Sequence, residues 1–77
     1  MNAQAETAER ALWTALRTLE ERLALMRKLA GNARRRGRVM AAAMFEERAE
    51  HVNADIEAIH GLIISGRSFE PVTHNGT

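Results

Sequence analysis

The stretch GNARRRGR, residues 31–38, holds two glycines six positions apart and four arginines between and after them. Whether a helix runs through it or the chain turns there decides the fold. Upstream, Leu12, Leu16, Leu19, Leu23, Met26 and Ala30 recur at alternating intervals of four and three, the spacing of a heptad seam along one face of a helix. Downstream, Phe45, Ala49, Val52, Ile56, Ile59 and Ile63 repeat that alternation. Extending the first seam without a break puts Gly37 and then Glu47 and His51 into apolar positions, so the two seams belong to separate helices. Gly31-Asn32 is a helix C-terminal signal, since both residues tolerate the left-handed conformation, and Gly37 is a second breaker. The sequence thus predicts an all-α, coiled-coil-like antiparallel hairpin over residues 1–64. Helix 1 covers about 3–31, a basic turn about 31–38 and helix 2 about 38–64. Ser65 onward, broken by Gly66, Pro71 and Gly76, reads as a flexible tail.

Composition agrees with two helices and little else. Ala, Leu, Arg and Glu dominate, and Trp13, Phe45 and Phe69 are the only aromatics. A chain of 77 residues buries a smaller fraction of its surface than a larger domain does, and with no cysteine it has neither disulfides nor thiolate zinc sites to compensate. Association is the remaining remedy. Apolar residues beside the seams, namely Trp13, Leu25, Leu29, Met40, Met44, Leu62 and Ile64, would stay exposed in a lone hairpin. The expected outcome is a homodimer closing into a four-helix bundle, or docking onto another helical or signalling domain. The interface set is Leu12, Trp13, Leu16, Leu19, Leu23, Met26 and Leu29 with Met44, Phe45, Val52, Ile56, Ile59 and Ile63. The longest uninterrupted run of strongly apolar residues, Leu62-Ile63-Ile64, is far short of the roughly 20 residues a bilayer demands. The first residues lack the basic and apolar pattern of a secretory signal, so a cytoplasmic location and no membrane partner are expected.

Few residues suggest chemistry. Glu57 and His60 have the Glu-x-x-His spacing that ferritin-like bundles use for metals, and a hairpin brings Glu9 near His60. At about 100° per residue, however, His60 lies to the side of the seam and Glu57 toward solvent, whereas such ligands point inward. No metal or other cofactor is therefore expected, and a small ferritin-like metal-binding bundle holding its ion through Glu9, Glu57 and His60 is the alternative. His51, beside Glu47, Glu50 and Asp55, reads as surface pairing. Ser65 and Ser68 sit where nothing would fix them for nucleophilic catalysis, and no nucleophile elbow or phosphate loop occurs, so no enzymatic activity is expected. Arg34, Arg35, Arg36 and Arg38 form the basic turn. They could meet phosphates, yet no aromatic platform for base stacking lies between Trp13 and Phe45. A solvated loop is the expectation, with nucleic acid as an alternative partner.

Two blocks gain meaning when taken together: ALWTALRTLEER, residues 11–22, and MFEERAEH, residues 44–51, separated by the arginine-rich segment. They resemble the helical C-terminal extension of CheB-type chemotaxis protein-glutamate methylesterases. Leu12, Trp13, Leu16, Arg17, Leu19, Glu20, Glu21 and Arg22 match the first block, and Phe45, Glu46, Glu47 and Ala49 the second. The resemblance implies a place in chemotaxis signal transduction, linked to hydrolysis of glutamate methyl esters by a catalytic domain that these residues do not include. It implies an interaction or dimerisation module without activity of its own, either attached to such a domain or free-standing.

Overall fold

The computed structural model describes the backbone of residues 3–75 and the side chains of residues 3–66. Two helices account for it, α1 over Ala3–Arg35 and α2 over Val39–Asn75, packed against each other in a rod of 61 × 19 × 11 Å. No strand occurs among the described residues. Residues 34 and 46 meet near the turn, and residues 13 and 60 meet far from it. That is the pairing of two antiparallel helices.

The turn is shorter and later than expected. α1 continues through Gly31 and Asn32 to Arg35, and only residues 36–38 link the helices. Glycine inside a helix costs about 1 kcal/mol relative to alanine and does not stop it. The stop is Gly37, which adopts φ 75°, a left-handed conformation that an L side chain disfavours. Around it the Arg38 amide donates to the Ala33 carbonyl at 2.8 Å and the Gly37 amide to the Arg34 carbonyl at 3.1 Å. These two bonds form a Schellman closure with Gly37 at C′. Arg38 then starts the next helix at once, because its carbonyl accepts from the Ala42 amide at 2.9 Å. One residue ends α1 and caps α2.

A link this short requires the helices to approach closely beside it, and the sequence supplies small residues there. Ala30, Ala33, Ala42 and Ala49 are buried, Ala42 completely. Facing alanines let helix axes come to the lower end of the 8–10 Å range. Farther from the turn the buried seam positions become large: Leu16, Val52 and Ile63. Leu12, Leu19, Leu23, Met26, Phe45, Ile56 and Ile59 complete both seams and are half-buried.

The far end of α2 also differs from expectation. The backbone stays helical beyond residue 64, through Gly66 and on to Asn75. Gly66 carries no left-handed φ, so it weakens the helix without capping it. Side chains of residues 67–77, where most of the expected tail falls, lie outside the described residues.

Gly37→Ala should lower the free energy of unfolding by about 1–2 kcal/mol, the cost of an L residue in the left-handed region. Gly61→Ala meets nothing within 4 Å in mid-helix and should raise it by about 1 kcal/mol. Denaturant melts followed by circular dichroism at one fixed protein concentration would read both.

Candidate interaction surface

A two-helix layer has two flanks, and the heptad register assigns residues to each. Measured from the seam, the positions one residue after Leu12, Leu19 or Phe45 fall on one flank, and the positions one residue before Leu16, Leu23 or Ala49 fall on the other. The first flank holds the described polar contacts across the hairpin. The Arg34 guanidinium donates to Glu46 Oε2 at 2.6 Å, with both side chains about half exposed. Toward the open end, the Trp13 ring stands edge-on to His60, with centroids 6.4 Å apart and planes at 68°. The Trp13 indole N–H donates to Glu9 Oε2 at 3.2 Å.

Glu9 and His60, proposed from sequence as partners, are therefore linked through Trp13. Glu57 lies on the solvent side of α2 and is exposed. Among the described residues no three His, Asp or Glu side chains gather in an arrangement that could hold a metal ion. Trp13, expected as an apolar interface residue, is 38% exposed and bonded to its own helix. Neither spacing nor periodicity signals this Glu9–Trp13–His60 cluster, although the four-residue step from Glu9 to Trp13 permits its helical half.

The basic turn is also reorganised. Arg34 and Arg35 belong to α1 rather than to a loop. Arg34 is engaged by Glu46, and Arg35 donates to the Asn32 side-chain oxygen at 3.1 Å. Arg36 and Arg38 border a cleft of about 160 Å³ with Leu29, Ala33, Ala41 and Phe45. The four arginines do not project together from one mobile loop.

The second flank carries Leu25, Met44 and Leu62 among the exposed charges of Arg22, Arg48 and Asp55, and the first flank also exposes Trp13 and Ile64. Near the turn the second flank carries that cleft, and near the open end a cleft of about 240 Å³ edged by Ala8, Leu12, Leu62 and Ile63. The open-end cleft exists because the seam ends there in Ala5 and Gly66, which bring almost no side chain to fill the layer. Both volumes fall below the 300–1,000 Å³ usual for small-molecule sites. Between and beside them Leu25 is 49%, Met44 41% and Leu62 59% exposed. Leu29, expected to be exposed, is half-buried because it leans over the turn-end cleft. No described helix is long and apolar enough to cross a membrane. Comparison of the chain with protein-family models, curated proteins and solved structures finds no match.

A double-mutant cycle on Arg34→Ala and Glu46→Ala should give a coupling of about 0.2–1 kcal/mol, as for other exposed pairs. Melts repeated in molar salt should reduce it toward zero.

Proposed function

We propose that this chain is a non-catalytic interaction module, which works by placing its Leu25–Leu29–Met44–Leu62 flank against another helical surface. The observation that carries the reading is the exposure of Leu25, Met44 and Leu62 on one flank, beside shallow clefts at both ends of the rod. Large apolar side chains left exposed together on one side of a small protein are a mark of a contact surface. α2 adds to the case: Met40, Ala43 and Met44 spread its apolar residues beyond a single seam, the pattern of a helix meant for cover on more than one side.

The candidate partners follow from the same surface. One is a second copy of the hairpin, completing a four-helix bundle. The other is a methylesterase-like signalling domain, in keeping with the similarity of residues 11–22 and 44–51 to the extension of chemotaxis methylesterases. A cytoplasmic site belongs to this reading. The arginines favour nucleic acid less, because Arg34 is neutralised by Glu46 and Arg35 is held by Asn32.

The test is sedimentation velocity of the chain at about 1 to 500 μM, alone and mixed with a purified chemotaxis methylesterase catalytic domain. Association in one of the two settings, abolished by Leu25→Lys/Leu62→Lys, is the expected result. Both positions are exposed, so their replacement should change the stability of the lone hairpin by no more than about 0.5 kcal/mol. A chain that remains monomeric and unbound in both settings contradicts the proposal.

A further inference from the structure

The heptad register sorts charge between the two flanks, and in the turn half of the rod it leaves the second flank with one sign only. Arg22 and Arg36 lie one heptad to either side of Leu29 on α1, Arg48 precedes the seam residue Ala49 on α2, and Arg38 enters from the link. All four are exposed. Three acidic residues occur between residues 22 and 50, namely Glu46, Glu47 and Glu50. Glu46 follows Phe45 onto the first flank, where it holds Arg34. Glu47 and Glu50 take outward positions on α2, away from the second flank. The first carboxylate on the second flank is Asp55, one heptad beyond Arg48 toward the open end, with His51 between them. None of the four arginines forms an ion pair with a described residue.

These arginines frame an apolar groove. Leu29 and Phe45 wall the turn-end cleft, and Leu25 and Met44 stand exposed beside it. Arg36 comes two heptads after Arg22, a separation of about 21 Å, or four helical turns. A groove between two helices receives an amphipathic helix by its apolar stripe. Carboxylates on both sides of such a stripe would meet arginine on both rims, from α1 through Arg22 and Arg36 and from α2 through Arg48, with Arg38 at the end. Guanidinium forks match carboxylates in geometry as well as charge, and complementary charge selects the partner and speeds its encounter.

We propose that the turn half of the second flank receives an acidic amphipathic helix of another protein, with its apolar stripe on Leu25, Leu29, Met44 and Phe45 and its flanking carboxylates on the four arginines. The inference rests on the interaction reading above and gives its partner a chemistry. The same flank of a second copy is a poorer occupant, since it brings four more arginines and the one carboxylate of Asp55. Nucleic acid would meet the arginines, but the groove between them offers it aliphatic side chains where base stacking needs aromatic rings. An anionic bilayer would also meet the arginines, yet it has no projecting side chain to fill the concave cleft between Leu29 and Phe45.

The probe is a synthetic acetylated peptide of about four helical turns, with leucines along one stripe and glutamates beside it. A control peptide carries lysine in place of each glutamate. Each is titrated into the full chain labelled with nitrogen-15. The expected result is amide shifts clustered at Leu25, Leu29, Met44 and Phe45, with the acidic peptide bound at least about tenfold tighter than the basic one. Arg36→Glu/Arg48→Glu should weaken that binding by about tenfold or more, and Arg27→Glu/Lys28→Glu, the same change of charge off this flank, by less than about threefold. Circular dichroism confirms that both variants remain helical. Equal losses in the two variants overturn the assigned surface, because the attraction is then diffuse. Equal binding of the two peptides overturns the acidic partner and leaves the interaction reading intact. Binding of neither peptide overturns the inference, and the mixture with a methylesterase domain then shows whether the interaction reading falls with it. Co-sedimentation with phosphatidylserine vesicles in the absence of peptide binding overturns it in favour of an anionic membrane.

Discussion

The left-handed backbone at Gly37 is the constraint from which the rest of the molecule follows. It lets the Ala33 and Arg34 carbonyls be satisfied from beyond the helix end, and it delivers Arg38 in position to open α2. With so short a link, the helices have no freedom to choose another register. Ala30 and Ala33 must face Ala42, and each later seam layer is then placed by the heptad. Gly37 carries no packing of its own, with nothing within 4 Å of where a Cβ would stand. Its contribution is conformational.

That register determines what the two flanks can do. One flank spends its surface on contacts within the hairpin, through Arg34 with Glu46 and through Glu9, Trp13 and His60. Arg34, Glu46, Trp13 and His60 are all exposed to solvent, and such contacts are individually weak. The other flank keeps leucines and a methionine in contact with water. A two-helix layer cannot resolve this alone, since covering one stripe per helix leaves the neighbouring apolar positions open. The proposed role follows from that unbalanced surface and not from any reactive group.

Much of this was legible in the sequence, and the exceptions have physical causes. The seams from Leu12 to Ala30 and from Phe45 to Ile63 could be read from spacing, because a heptad repeat has few alternative interpretations. Local signals start the turn several residues too early, because Gly31-Asn32 and Gly37 are both acceptable stops when judged locally. The choice is tertiary: stopping at Gly37 keeps Ala33 helical and buries it with Ala42, which stopping at Gly31 would forfeit. For the same reason the four arginines read as one loop but divide between the last turn of α1 and the link. The Glu9–Trp13–His60 contact was only half visible, since it depends on which level of α2 stands opposite Trp13. The second flank was visible as a set of leftover residues, but its separation from the first became clear only with the register fixed.

The most direct test of the account is a single intrachain distance. Spin labels on cysteines introduced at Arg17 and Glu57, both exposed, would be measured by pulsed electron resonance with unlabelled chain in excess to suppress distances between copies. A hairpin closed at Gly37 places the two backbone positions on adjacent helices, with axes about 10 Å apart, and predicts a narrow short-distance distribution set mainly by the label arms. A single uninterrupted helix through residues 31–38 would separate them by on the order of 60 Å, and that result would contradict the fold and everything derived from it.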